Sequence, residues 1–316
     1  MSNNICIEFK NVFKSYKEIL ALDNISFKVK KGDILGYVGP NGAGKTTTIK
    51  ILVGLIKNYQ GKVYIYGKDI AKHNQEIHKL IGYHPQEADF QEWRTVNHAL
   101  KTFGKLSGLK SPHLDNQINR ILELIGLSEF RDKKIIHLSG GMFQKLRLGQ
   151  ALLHEPEILI MDEPLSGLDP SSRFQFKTII KNLAKNGITS LFSSHILSDV
   201  QDIADKIGII NNGRILKIGT PEELQSGFHV GNVIEIVVAE HSALCNELDN
   251  LSEVEYVEKL KADKQLIHLK SDIDVDLAIQ KILTKIKDQK CKIRKFNLLK
   301  PSLEEVYLKY VGGEIK

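Results

Sequence analysis

One stretch limits what this chain can fold into more than any other: Gly39-Pro40-Asn41-Gly42-Ala43-Gly44-Lys45-Thr46-Thr47. An apolar run, Asp33-Ile34-Leu35-Gly36-Tyr37-Val38, precedes it, and a helical-looking run, Thr48 to Leu55, follows. Strand, glycine-rich turn and helix is the context in which a G-x-x-x-x-G-K-[ST] pattern carries weight. Glycines reach backbone conformations closed to other residues, so successive N–H groups can turn inward around a phosphate. The helix starting near Lys45 adds the positive end of its dipole. Lys45 supplies a mobile cation for β- and γ-phosphates, and the Thr46 hydroxyl can ligate Mg²⁺. The stretch therefore implies binding of a nucleoside triphosphate.

The 316 residues leave room for one large and one small domain. No apolar run reaches the roughly 18–20 residues of a membrane helix, and Met1 to Cys6 lacks the features of a signal peptide. Cys6, Cys245 and Cys291 are far apart and in no metal-ligand spacing, so they read as free thiols in a reducing cytoplasm. The net charge of +6 comes from basic residues scattered among acids, as in Lys259-Leu260-Lys261-Ala262-Asp263-Lys264. That pattern reads as a solvated surface, and no nucleic-acid partner is expected.

Ile5–Phe9 and Ile25–Val29 alternate as strands do, with Phe13-Lys14-Ser15-Tyr16 expected in a loop between them. After the loop helix, 61–67 reads as a strand, and 77–83 leads into His84-Pro85-Gln86. From about 95 to 136 the pattern is helical. Val96, Leu100, Phe103 and Leu106 share one apolar face, Ile118, Ile121, Leu122 and Ile125 another, with Gly126 as a C-cap. Leu138-Ser139-Gly140-Gly141-Met142 opens a further helix, ended by Pro156. Glu157–Met161 is a continuous apolar strand of the buried parallel kind, delivering Asp162-Glu163-Pro164 to its end. Then come Ser166-Gly167-Leu168-Asp169-Pro170, a helix over 171–185, and a strand over 188–192 that leads to Ser193-Ser194-His195. This alternation predicts a doubly wound α/β sheet, with Lys45, Asp162, Glu163 and His195 at carboxyl ends of strands, where such sheets bind ligands. A hairpin over 207–219 turns at Asn212-Gly213, and Thr220-Pro221 caps a short helix. The pattern restarts around 227–231. Strands over 233–238, 254–260, 265–269 and 291–296, with helices over 242–250 and 274–288, predict a small β-α-β-β-α-β unit. A helix over 302–311 closes the chain.

Leu138-Ser139-Gly140-Gly141 makes the chain resemble the ATP-binding-cassette (ABC) ATPases. The resemblance covers about residues 5–225 and rests on motifs in the family's order: the phosphate loop with Asn41-Gly42-Ala43, Gln86, the Ser139 run, Asp162-Glu163-Pro164, Ser166-Gly167-Leu168-Asp169 and His195. Tyr16 matches the family's adenine-stacking aromatic. The resemblance implies an α/β P-loop NTPase of ABC type, a mostly parallel sheet with an antiparallel β subdomain and a helical insert, plus a small C-terminal α+β domain. The expected domains are 1–228, with the insert at about 87–155, and 229–316.

It also implies a division of labour for ATP hydrolysis with Mg²⁺. Gly39, Pro40, Asn41, Gly42, Ala43, Gly44, Lys45, Thr46 and Thr47 would hold the phosphates, and Thr46, Gln86 and Asp162 the metal. Glu163 would polarise the attacking water, with Gln86 and His195 completing the catalytic set. Ser139, Gly140, Gly141 and Asp169 belong to the nucleotide site through a second copy: two chains pair head-to-tail, and each Ser139 loop closes on ATP held by the other. Met142 stands where Gln is common and Leu165 where Thr is frequent. His73, His84, His154 and Trp93 are expected in surface or packing roles.

A chain with one phosphate loop, and only about a hundred residues between it and Ser139, is unlike two-cassette translation factors or coiled-coil DNA-repair ATPases of the superfamily. A cassette serving iron–sulfur cluster assembly remains the alternative. Pro301-Ser302-Leu303-Glu304-Glu305-Val306-Tyr307-Leu308 looks like the C-terminal signature of exporter ATPases of the ABC-2 type, whose permease is separately encoded. The expectation is thus an exporter's ATP-hydrolysing subunit, a homodimer held peripherally at the cytoplasmic face of the membrane by its permease. That permease would dock on the insert around 86–106.

Overall fold

The structure, a computed structural model, describes residues 4–87, 89–226, 233–239, 248–261, 263–270, 273–289, 291–299 and 302–312. The chain forms two compact units, Met1–Pro221 and Glu222–Lys316. The first begins with β1 (Ile5–Tyr16), β2 (Ile19–Lys30), β3 (Ile34–Val38), α1 (Lys45–Leu52), β4 (Gln60–Ile65), β5 (Lys68–Asp69) and α2 (Asn74–His78). It continues with β6 (Ile81–His84), α3 (Val96–Leu106), α4 (His113–Leu124), α5 (Gly140–Leu152), β7 (Ile158–Met161) and α6 (Pro170–Lys185). It ends with β8 (Thr189–Ser194), α7 (Leu197–Gln201), β9 (Lys206–Asn211) and β10 (Arg214–Gly219), and α8 (Pro221–Ser226) starts at the boundary.

Two sheets share one core in this unit. The first is antiparallel, in the order β2-β1-β4-β5. The second runs β10-β9-β3-β8-β7-β6, parallel throughout except for the hairpin strand β10. β7 is buried at every position, as its unbroken Ile-Leu-Ile-Met sequence requires of a central parallel strand. Phe9 stacks on Phe27 at 4.5 Å and Phe27 on Tyr37 at 5.9 Å, so aromatics tie the antiparallel sheet to β3. Ile49, Ile51 and Leu52 of α1 join the same core. The helix that carries the phosphate-loop lysine is therefore packed against both sheets.

Some expectations shift. β1 runs on through Tyr16, which pairs with Ile19, so the aromatic ends a strand instead of sitting in a loop. The β1–β2 ladder is long enough to carry it there. α3 buries Val96, Ala99 and Leu100, but Leu106, placed on its apolar face by spacing alone, is exposed in the last turn. α4 ends as expected at Gly126, whose φ of 66° lets the amide of Leu127 bond the carbonyl of Leu122. α5 stops at Leu152, four residues before Pro156. The interval is filled by a turn in which Glu155 takes a φ of 54°.

The second unit contains β11 (Val233–Val238), β12 (Val254–Lys261), β13 (Lys264–Leu269), α9 (Val275–Asp288), β14 (Ile293–Leu299) and α10 (Leu303–Gly312). Its sheet is antiparallel, in the order β12-β13-β11-β14, which is the pairing a β-α-β-β-α-β unit produces. The first helix of that scheme was expected at 242–250. Of it, 248–250 form a 3₁₀ turn and 242–247 lie outside the described residues, as do 227–231, Cys245 and Pro301. Ile234, Ile236, Ile267 and Leu269 pack against Ala278, Ile282 and Ile286, spaced i, i+4, i+8 on α9. Asp274 caps that helix by accepting from the amides of Asp276 and Leu277.

Gln265 sits on the same apolar side of β13, wholly buried, and neither end of its carboxamide has a hydrogen-bond partner among the described residues. A buried amide left unpaired costs about 1–3 kcal/mol, so Gln265→Met, which keeps the volume, is expected to stabilise this unit. Scanning calorimetry of the full chain checks it. The midpoint of the C-terminal unit should rise by several degrees, about 4–8 °C per kcal/mol for a unit of this size; a fall would mean that the carboxamide is bonded.

Candidate active site

The order β3-β8-β7 brings three carboxyl ends side by side, and each delivers part of one constellation. From β3 comes the glycine-rich loop. Gly39 passes so close to β9 that a Cβ there would lie 2.2 Å from the Ile210 carbonyl oxygen. Gly44, at φ 106°, turns the chain into α1 beside the Ala21 carbonyl, where a side chain would collide at 2.7 Å. A larger residue at either place would displace the loop.

Lys45, the first residue of α1, is only 5% exposed. Its Nζ donates to the carbonyl oxygens of Gly39 at 2.8 Å and Pro40 at 3.1 Å and lies 3.4 Å from Glu163 Oε1. The cation thus folds back over its own loop. Beside it the Thr46 hydroxyl donates to Asp162 Oδ1 at 3.2 Å. Asp162 is buried at the end of β7, and the same oxygen accepts from Ser193 Oγ at 2.7 Å. Ser193 Oγ in turn accepts from the Glu163 amide at 2.9 Å. β8 therefore fixes both acids.

Glu163 has a φ of 48°, a left-handed backbone that is sparsely populated for a residue with a side chain. The turn aims its carboxylate across the end of the sheet, between Lys45 and His195. Nδ1 of His195 lies 2.5 Å from Glu163 Oε2. The carboxylate can only accept, so this nitrogen carries the proton. His195 itself is partly exposed.

A cavity of about 250 Å³ opens over this cluster, lined by Ala21, the loop from Asn41 to Thr47, Gln86 and Glu163. Its glycines, the N-terminus of α1 and the buried ammonium suit a chain of phosphates. Thr46 and Asp162 offer adjacent hard oxygen donors, the type that Mg²⁺ selects, so they fit a magnesium ion carried in with nucleotide. Tyr16, Ser139, Gly140, Gly141 and Asp169 do not line the cavity. Tyr16 stands half-exposed on the β1–β2 hairpin with the Lys14 ammonium over its ring. Ser139 caps α5, its hydroxyl accepting from the Met142 amide at 3.3 Å. Gly141 is packed against Ser172, where a Cβ would meet Oγ at 2.3 Å. Asp169 caps α6, accepting from the amides of Ser171 and Ser172, and these bonds, led by the Ser172 hydroxyl, hold its carboxyl below the usual range. α5, the signature helix that follows the Leu138-Ser139-Gly140-Gly141 motif, and α6 thus touch at their N-termini, apart from the phosphate cavity.

Sequence reasoning missed Ser193 and Arg147. Ser193 belongs to a run that was read for His195 alone. Arg147 lies between Leu146 and Leu148 on α5, is 7% exposed, and donates from Nη1 to the Gln86 carbonyl at 3.1 Å. A charge inside an apolar helical stretch was its only signal. His73 and His154 do find partners, the carbonyls of Asp69 and Ile81. His84 is fully buried, edge-on to Phe176, and burial pushes its imidazole down to about 4. Trp93 is exposed.

Comparison with known proteins agrees with this geometry. Residues 22–166 match the family described as ABC transporter, and residues 219–311 match the ATP-binding protein DrrA1-3-like C-terminal domain. The linearmycin resistance ATP-binding protein LnrL of Bacillus subtilis (strain 168) is 31% identical over 316 residues, 98% of this chain and 99% of that protein. The bacitracin transport ATP-binding protein BcrA of Bacillus licheniformis is 40% identical over 212 residues, 67% of this chain and 68% of that one. Among solved structures, the ADP conformation of MJ1267, an ATP-binding cassette of an ABC transporter, superposes with a TM-score of 0.64 at 30% identity, covering 69% of this chain and 92% of that one. With the phosphate loop, the paired acids and the signature helix all in place, the chain belongs to the ATP-binding, ATP-hydrolysing subunits of the ABC transporters.

Proposed function

We propose that this chain drives an exporter, hydrolysing Mg-ATP between two copies of itself and passing the resulting motion to a separately encoded permease. The observation that carries the exporter reading is the second family match, which continues to residue 311. A relative named for linearmycin resistance matches over nearly its full length, and one named for bacitracin transport over 212 residues. That weighs against an iron–sulfur assembly cassette. No helix among the described residues is long and apolar enough to cross a membrane, so the reading requires a partner that supplies the spans. The permease would hold the chain at the cytoplasmic face, docking near Gln86 and α3.

The chain's own residues divide the work. Loop amides from Asn41 to Thr47 and the Lys45 ammonium bind phosphate oxygens; Thr46, Asp162 and Gln86 hold the metal. Bound with nucleotide, Mg²⁺ supplies charge neutralisation at the phosphates. Glu163 accepts the proton of the attacking water, and His195, already bonded to it, orients its carboxylate and reaches the γ-phosphate. Tyr16 offers a face to the adenine. The cavity is furnished on one side only, while Ser139, Gly140, Gly141 and Asp169 stand elsewhere, which supports a head-to-tail pair in which they meet the other copy's nucleotide. Entering phosphate must compete with Glu163 for Lys45.

Two outcomes follow. Glu163→Gln removes the general base and the carboxylate that engages Lys45 at rest. Hydrolysis should fall ~10²–10⁴-fold, while the affinity for Mg-ATP rises and a dimer accumulates on size exclusion. A variant that stays monomeric at saturating Mg-ATP would overturn the shared-site mechanism. Separately, the tagged full chain should come out of membranes in mild detergent with a hydrophobic protein of several spans. Recovery without any membrane partner would defeat the exporter reading and leave the ATPase assignment standing.

A further inference from the structure

Arg147 is a nearly buried cation outside the phosphate cavity, and its surroundings join two parts of the cassette. It lies two turns into α5, about 12 Å along the helix from the Ser139 cap. Its guanidinium donates to the backbone carbonyl of Gln86 and lies 4.6 Å over the ring of Phe143, one turn back on α5. The Phe143 ring meets Phe90 edge-on at 5.5 Å, and Phe90 meets Phe103 of α3 in the same way. Burial lowers the guanidinium's pKa, and the charges of Asp89 and Glu87 oppose that shift. Gln86 and Phe90 are therefore each anchored, one by a charge-assisted hydrogen bond and the other by an aromatic contact. Both anchors belong to the signature helix or pack upon it.

We propose that Arg147 is a positioning residue for ATP hydrolysis: it fastens Gln86 to the signature helix, so that movement of the Ser139 end carries Gln86 to or from the phosphates. The proposal rests on the shared-site mechanism above and adds the physical link within each chain. Gln86 lines the phosphate cavity of its own chain, whereas Ser139 serves the other copy. A rigid helix with Ser139 at its cap and Arg147 along its shaft makes these one body. Closure on the partner's nucleotide then sets Gln86 at its own site. The planar guanidinium suits the task because it bonds a carbonyl at its edge while stacking on a ring through its face, which a lysine cannot do.

The test uses the full chain carrying Arg147→Met or Arg147→Lys. Without nucleotide, amide hydrogen exchange over 85–92 should quicken about tenfold or more in Arg147→Met while β7 stays protected. Binding of a fluorescent ATP analogue to the monomer should stay within about twofold of the parent, since the described contacts of Arg147 are with Gln86 and Phe143 and not with the phosphate loop. The kcat should fall about tenfold or more, and half-saturation by Mg²⁺ should shift upward, with Arg147→Lys in between. Unchanged exchange over 85–92, or a kcat and Mg²⁺ dependence within about twofold of the parent, would overturn the proposal. So would equal losses of kcat and thermal stability with Mg²⁺ dependence intact, which is the mark of a packing residue. If Arg147→Met does not fold, Arg147→Lys decides by the same readings. Glu163→Gln with Arg147 intact separates the two ideas: its failure to dimerise counts against the shared site, whereas a dimer that forms only with Arg147 present supports the link.

Discussion

A lysine ammonium kept 5% exposed at the end of a parallel sheet is the constraint around which this cassette is arranged. An unpaired buried charge costs several kcal/mol, so groups that match it must be held in place before any ligand arrives. The Gly39 and Pro40 carbonyls and the Glu163 carboxylate do this for Lys45, and His195 and Asp162 extend the network. They come from three strand ends, those of β3, β7 and β8. The order β3-β8-β7 is what allows a loop, a histidine and two acids from distant parts of the sequence to meet.

The resting arrangement has the polarity of a latch. The cation meant for phosphate is occupied by the chain's own oxygens, and the carboxylate meant for water is held by that cation and by His195. Phosphate oxygens would compete for the same ammonium, and under the proposed mechanism their arrival would release Glu163 from Lys45. Glu163 stays near because its backbone, at φ 48°, is tied through its amide to Ser193. Only the side chain has to move. Binding and activation are thereby connected through one ion pair at 3.4 Å.

The main parts of the site were legible because each is a short motif with a fixed mechanism. A strand, a glycine-rich turn and a lysine predict a phosphate loop wherever they occur, and an apolar strand ending in Asp-Glu points its acids at the same edge. The alternation of strands and helices also gave the α/β class, and the restart after 227 gave the small α+β unit. What stayed hidden depends on partners distant in sequence. Lys45 bonding its own loop could not be read, because the sequence shows a mobile cation and not its resting contacts. Arg147 was invisible because its partner is a backbone carbonyl 61 residues away. Tyr16 was assigned to a loop since the period-2 pattern of β1 fades after Phe9, although the ladder to β2 goes on. Leu106 fitted a spacing whose last turn runs out of protein to pack against.

The separation of the two kinds of site residue supports the reading in which two chains complete each site. Lys45, Thr46 and Glu163 line one cavity, with Asp162 bonded to Thr46 beside it, whereas Gly141 lies against Ser172 where α5 and α6 meet at their N-termini. Helix N-termini favour anions, and two of them meeting makes a surface suited to phosphate that the chain's own phosphate loop does not supply. A second copy, turned head-to-tail, would bring that surface over the cavity and leave its own cavity facing the first chain's α5. In such a pair each nucleotide would be held by both chains, so loss of the bridging γ-phosphate would weaken both contacts at once. The free energy of ATP would then go into separating two surfaces, and Gln86, bonded to the helix that carries one of them, lies where that separation would be felt.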